Sequence, residues 1–310
     1  MRPVVCVVGP TASGKTAVAQ EIALALGGEV VSADSMQVYR GMDIGTGKIP
    51  PSERRVPHHG LDLVDPGEPY SAALFQPYAR GCFAAIEGRG GWPVLAGGTG
   101  LYVRAAIDDY DFPAGEQVGN PVRDECMAFA EAHGAQALWE RLRAADPESA
   151  AVVHPHNVRR VARALELLAE GGSYAEQKRN LATLPQAVPA VQVGLAVDPD
   201  QLRARIDARV DAMVEAGLVD EVKGLLNGGF RAGVTAPQAI GYKEIVDALE
   251  GRCTLAEAVE AVKAATRRYA KRQRSWFRRD ARIRWVDAGS GDAAAIAREA
   301  LAALGDDLHA

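Results

Sequence analysis

GPTASGKT, residues 9–16, stands between the apolar run Val4–Val8 and a stretch, 16–26, whose apolar residues recur at helical spacing until Gly27 and Gly28 stop it. The octet fits the phosphate-loop pattern GxxxxGK[ST] in the context that pattern requires, after a strand and opening a helix. Its glycines let the backbone of Gly9, Pro10, Thr11, Ala12, Ser13 and Gly14 curl so that N–H groups face phosphate oxygens, reinforced by the positive end of the helix. Lys15 adds a point charge, and the Thr16 hydroxyl is placed to hold Mg²⁺. The motif calls for a phosphate ligand without saying that the ligand is a nucleotide.

Working outward, 29–33 reads as a second strand ending at Asp34, and 41–69, rich in Gly and Pro, reads mostly as loop around His58 and His59. A helix at 72–87 leads to a strand at 93–96 and the glycine turn 97–100. This alternation predicts an α/β fold, a P-loop NTPase-like parallel sheet flanked by helices. From 116 to 190 the chain is Ala- and Arg-rich, helix-patterned and almost free of strand signals, which predicts a helical insertion. A strand at 191–197 and helices at 200–216, 218–227, 236–250 and 254–278 follow. The expected organisation is a first part of the core at 1–115, the insertion at 116–190, and a return to the core with basic C-terminal helices at 191–310.

Bulk properties narrow the class. The 310 residues are 48% hydrophobic and 24% charged, an ordinary globular mix, and no run approaches the roughly 20 apolar residues a membrane helix needs. No signal-peptide pattern precedes the glycine loop, and four cysteines without a CxxC pair predict free thiols in a reducing cytoplasm. A net charge of −5 argues at first sight against a nucleic-acid partner. Residues 267–284, RRYAKRQRSWFRRDARIR, nevertheless set nine basic residues against the single acid Asp280, with Tyr269, Trp276 and Phe277 between them. Cations beside stacking rings suit folded RNA; the alternative is a solvated basic helix whose rings face the core.

Outside the loop, Asp34 at a strand end could act as a general base, a metal ligand or a helix N-cap. Thr99, in GGTGLY (97–102), could hold a leaving phosphate or simply stand in a strand-to-helix turn. Arg205 and Arg209 are four apart and could reach one anion, or could be a solvated pair neutralised by Asp207 and Asp211. Arg159, Arg160 and Arg163 pose the same choice.

Together these residues resemble the tRNA dimethylallyltransferase family, also called tRNA isopentenyltransferases, in its bacterial form. The matching stretches are GPTASGKT (9–16), SADSMQVYRGMDIGTGK (32–48), PHH (57–59), LDLVDPGEPYSA (61–72), GGTGLY (97–102), RRVARALEL (159–167), RIDARVDAMVEAGLVDEV (205–222), AIGYKE (239–244) and RYAKRQRSWFRRD (268–280). They keep family order across nearly the whole chain. The resemblance implies transfer of a dimethylallyl group from its diphosphate, with Mg²⁺, to the exocyclic N6 amine of adenosine-37 in tRNA. It implies that Asp34 is the general base and that Ser35, Met36 and Gln37 help hold the target base. Thr99 and Arg209 would bind diphosphate beside Lys15 and Thr16. Arg159, Arg160, Val161, Ala162 and Arg163, with Gly241, Tyr242, Lys243 and Glu244, would line the path of the anticodon stem-loop. The basic block adds Lys271 and Arg274 to the RNA contacts, and a monomer is expected because tRNA binding needs no second subunit. Gly60 departs from the large apolar residue usual after the paired histidines, and no Cys/His pair follows the basic block, as in a bacterial-type short form.

Three rivals share some of these features. A P-loop kinase of nucleotides or small metabolites would use Asp34 to orient its acceptor but would leave the basic aromatic C-terminus without a role. An adenylate isopentenyltransferase shares the core yet needs neither the insertion nor RYAKRQRSWF. A nucleotide-switched RNA-binding protein would need base recognition, and no NKxD guanine signature is present.

Overall fold

The run VVCVV leaves no polar face for solvent, so β1 (Val4–Val8) lies buried on both sides in the middle of a parallel sheet. It pairs in parallel with β4 (Pro93–Gly97) on one side and β5 (Ala190–Ala196) on the other. β2 (Glu29–Ser32) and β3 (His58–His59) continue beyond β4, and β6 (Ile283–Asp287) closes the other edge, giving the order β3-β2-β4-β1-β5-β6. This computed structural model describes residues 2–112 and 120–308. Because every pairing is parallel, the carboxyl ends of β1, β2 and β4 open on one side, where the phosphate loop, Asp34 and Thr99 follow them.

The helices α1 (Lys15–Leu26), α2 (Ala72–Gly88) and α3 (Gly100–Ile107) link these strands. After β5 come α9 (Pro199–Glu215), α10 (Leu218–Leu226), α11 (Tyr242–Leu249), α12 (Leu255–Phe277) and α13 (Ala293–Leu304), numbered after the five helices of the insertion. One expectation needs correction. The helix expected at 236–250 is broken at Gly241, whose φ of +97° separates a short 3₁₀ turn, Ala236–Gln238, from α11. The segment 41–69 is mostly loop, as expected, and within it lies the two-residue β3, which pairs Val30 with His58 and Val31 with His59. Past the basic block the chain returns to the sheet as β6, with Ile283 and Val286 buried.

The chain divides into two compact units, Met1–Asp108 with Gln186–Ala310, and Asp109–Pro185. The second contains α4 (Pro121–His133), α5 (Ala135–Ala145), α6 (Pro147–Val152), α7 (Val158–Ala169) and α8 (Tyr174–Thr183) around a core that includes Cys126, Leu138, Leu142, Val161 and Ala162. The boundary expected at 115/116 lies outside the described residues. At the other end the insertion stops near 185 and not 190, because the Ala187 and Val188 N–H groups donate to Ile107 O and Pro189 O accepts from Val4.

A buried ionic cluster ties α3 to the start of β6. The Asp108 carboxylate, with no exposed surface, accepts from Arg282 at 2.6 Å and from Arg104 at 2.7 Å, while Arg282 also holds Asp280. Removing one partner of such a cluster leaves the others uncompensated, so Asp108→Ala is expected to cost about 3–5 kcal/mol. Urea unfolding reads the loss as a lowered midpoint; an unchanged midpoint would show that the cluster adds nothing to stability.

Candidate active site

Ala12 at φ +62° and Gly14 at φ +86° give the phosphate loop its curl, the local strain of Ala12 being held by the surrounding turn. Lys15, half-buried, donates from Nζ to Pro10 O at 2.5 Å. Burial pushes its pKa down to about 7; the nearby Arg209 guanidinium adds to the depression and Asp34 opposes it. Thr16, in the first turn of α1, lines the same cavity. Arg209 enters from α9, and burial lowers its pKa from the ordinary value while Asp34 pulls it partly back. A Cβ at Gly47 would collide with the Arg209 guanidinium, which explains the glycine in the turn that covers it.

Arg205 and Arg209 do not share an anion. Arg205 donates to Ala288 O and Gly289 O, and the two acids that could have neutralised the pair turn instead to α12, Asp207 to Arg267 at 2.9 Å and Asp211 to Lys263 at 2.7 Å.

Asp34 Oδ1 accepts from the Met36 N–H at 2.9 Å, closing a tight turn; it caps no helix. The Ser35 N–H donates to Thr99 Oγ1 at 3.1 Å, so the glycine turn after β4 and the turn after β2 are joined. Two cavities meet here. A larger one of about 830 Å³ is lined by the phosphate loop, Lys15, Thr16, Asp34, Arg209 and Tyr269. A smaller one of about 290 Å³ is lined by Asp34, Ser35, Met36, Gly241, Tyr269 and Arg272, with apolar walls from Ile206, Val210, Leu218 and Val262. Asp34, Arg209 and Tyr269 face both. Burial and the neighbouring Asp34 push the Tyr269 phenol up to about 12, so it remains protonated beside Thr99 and Gln273.

Several functional-looking residues act as supports. Gln37 accepts from Ser32 Oγ and donates to Thr46 O and Gly47 O, so its amide braces the loop over Arg209. Glu221 of α10, which the sequence did not single out, accepts from the N–H groups of Asp43, Ile44 and Gly45 at 2.7–3.1 Å and from the Tyr242 hydroxyl at 2.6 Å. Tyr242 is fully buried in that task, which corrects its expected place on the RNA path. Glu244 is buried too and caps Gly241 N, whereas Lys243 is exposed. His59 pairs with Glu29 at 2.6 Å, a structural contact, and His58 bonds Val56 O while lining the larger cavity.

Among the remaining RNA candidates, Arg159 and Arg160 are exposed on α7, whereas Val161 and Ala162 are fully buried in the core of their unit and Arg163 is held by Glu166. That is the ordinary division of an amphipathic helix, in which residues two apart in sequence, turned by about 200°, fall on opposite faces. In the basic block Arg267, Arg282 and Arg284 pair internally with Asp207, Asp108 and Asp307. Lys271 is exposed and Arg274 partly so, and neither has an ion pair among the described residues. Phe277 is buried, and Trp276 is 39% exposed beside Gly100.

No group of three His, Cys, Asp or Glu side chains among the described residues is placed to hold a metal. Mg²⁺ takes few protein ligands and several phosphate and water oxygens, so Thr16 together with a bound diphosphate fits it.

The IPP transferase family model matches residues 37–280, and an isopentenyl transferase model matches residues 2–56. The chain is 49% identical to a tRNA dimethylallyltransferase of Nocardioides sp., over 92% of this chain and 91% of that protein. It is 46% identical to the enzyme of that name from Bacillus subtilis, over 92% and 91%. A solved tRNA isopentenylpyrophosphate transferase from Bacillus halodurans superposes with a TM-score of 0.73 at 44% identity, covering 100% of this chain and 97% of that one. A eukaryotic dimethylallyltransferase captured acting on tRNA gives 0.79 at 27% identity, covering 100% and 80%.

Proposed function

Because the chain belongs to the IPP transferase family of tRNA dimethylallyltransferases, we infer that it transfers the dimethylallyl group of dimethylallyl diphosphate to the exocyclic N6 amine of adenosine-37 in tRNA. Diphosphate is the second product. The observation that carries the site assignment is the position of Asp34 on the wall shared by the two cavities. The larger, floored by the phosphate loop, takes the diphosphate; the smaller, with apolar walls and Arg272 at its lining, takes the adenine splayed out of the anticodon loop.

Adenine N6 is a poor nucleophile because its lone pair is delocalised into the ring. Asp34 accepts the N6 proton as the N6–C1 bond forms; the C1–O bond breaks and its electron pair leaves with diphosphate. Lys15, Arg209, the loop N–H groups and Thr99 stabilise the charge that develops there. Mg²⁺, held by Thr16 and diphosphate oxygens, would neutralise part of that charge when bound. Tyr269, protonated, hydrogen-bonded to Thr99 and lining both cavities with Asp34, is a further donor toward the reacting centre.

RNA docks, in this reading, on the exposed cations of α12, with Arg159 and Arg160 of α7 as a second contact. Lys271→Glu with Arg274→Glu is expected to weaken RNA binding at least tenfold and to flatten its salt dependence by about two charges. Filter binding at several salt concentrations checks this, and equal affinity for mutant and wild type would remove the basic block from the interface. Because tRNA binding needs no second subunit, we assign the active form to a monomer, working in the cytoplasm.

The test of the function is transfer of label from dimethylallyl diphosphate, with Mg²⁺, to unmodified anticodon stem-loop RNA and to AMP in parallel. Label in the RNA, lost when A37 is replaced by G, is the expected result. Label in AMP alone would place the protein with nucleotide-prenylating enzymes, and phosphoryl transfer from ATP without prenylation would favour a kinase.

A further inference from the structure

Gln273 of α12 belongs to no phosphate-binding motif and lies in the middle of the stretch read as an RNA-binding patch, yet it is 5% exposed. Its Oε1 accepts from the Thr11 N–H at 2.8 Å, and its Nε2 donates to Gly98 O at 2.9 Å. Each bond fixes a peptide unit whose other end is also engaged. The unit joining Pro10 to Thr11 presents its carbonyl to Lys15 Nζ. The unit joining Gly98 to Thr99 gives its N–H to Ala33 O, the residue before Asp34, at 3.3 Å. An unbroken line of polar contacts therefore runs from the Lys15 ammonium to the base-bearing turn, and the Gln273 amide is its central link.

An amide offers an acceptor and a donor on one planar group, and the space around it is fitted to it. A Cβ at Gly98 would collide with Gln273 Nε2, so the glycine of the second turn lets the two loops share one side chain. The geometry points to Gln273 as a positioning residue that sets the distance between the diphosphate grip and Asp34. This rests on the function proposed above. Gln273 touches neither reacting carbon nor nitrogen in this scheme; it acts through the Thr11 and Gly98 peptides. Because α12 also carries the exposed cations, the same helix that meets RNA holds the two loops in register.

Two variants test the assignment. Gln273→Met keeps the bulk and removes both bonds, and Gly98→Ala pushes the native amide aside. Each is expected to lower kcat for transfer, at saturating RNA and dimethylallyl diphosphate, by about 10- to 100-fold, as displacement of a reacting pair does. Each is also expected to weaken binding of inorganic diphosphate several-fold, with RNA affinity in filter binding unchanged. A merely structural role would instead lower kcat only in proportion to the folded fraction measured by urea unfolding, leaving diphosphate affinity intact, and that result overturns the proposal. So does wild-type kcat in Gln273→Met. If the wild type itself prenylates no RNA, the functional reading fails, while the diphosphate-affinity comparison still decides whether Gln273 organises the phosphate loop.

Discussion

Asp34→Asn is expected to reduce single-turnover prenyl transfer by about 100- to 10,000-fold, the range lost with a general base, while RNA affinity stays within about twofold. The substitution is clean because Asn retains the oxygen that accepts from the Met36 N–H, so the turn after β2 has no reason to move. What disappears is the capacity to take the N6 proton, together with one negative charge that acts on both Lys15 and Arg209. Asp34 raises the proton affinity of both cations, so a second consequence follows: in the variant, Lys15 loses its proton at lower pH than in the wild type. A carboxylate that only braced the turn would give the second effect without the first, so the rate decides its role. The measurement is transfer to anticodon stem-loop RNA with enzyme in excess, beside filter binding of the same RNA. Undiminished transfer would take Asp34 out of the mechanism.

The parts of this site that the sequence made legible are those built from contiguous residues. The phosphate loop is one such run, and strand ends in a parallel sheet necessarily place Asp34 and Thr99 beside it, so pattern and topology together were enough. What escaped was brought from far along the chain. Glu221 reaches back 176 to 178 residues to the 43–45 turn, and Gln273 reaches 262 to Thr11. A signal for Gln273 did exist: the buried residues of α12 include Ala265, Ala270, Gln273 and Phe277, so a polar amide falls in the apolar stripe and needs a partner. The error over Val161, Ala162 and Tyr242 has the opposite origin. The resemblance marks the whole motif as RNA-facing, although helical periodicity puts Val161 and Ala162 on the face of α7 opposite Arg159 and Arg160. β6 was missed because its burial is confined to Ile283 and Val286, with Arg284, Trp285 and Asp287 exposed at the sheet edge.

Binding of dimethylallyl diphosphate in the absence of RNA is expected to weaken as pH rises above roughly 7, approaching about tenfold per pH unit and reaching about 50-fold between pH 7 and 9. The sign follows from Lys15. In the free protein, burial and Arg209 hold its pKa near 7, so above that pH the ammonium is increasingly lost. The incoming diphosphate favours the charged form and raises the bound-state pKa, so binding takes up a proton throughout the interval between the two values. Affinity is therefore fully present below the free-state pKa and declines as pH rises above it, until the bound-state pKa is passed. The ligand contributes little to this slope, since a phosphate ester with its last pKa near 6 is already ionised over that range. The Pro10 carbonyl that Lys15 holds in the free state is a weaker partner than a diphosphate oxygen, so the side chain gains on binding by exchanging one for the other. Lys15→Arg separates this account from any general alkaline loss of structure. Its guanidinium stays charged to pH 9, so its affinity, whatever its absolute level, should be flat where the wild type falls. Equal slopes for the two proteins would mean that Lys15 is charged throughout and that another group governs the pH dependence.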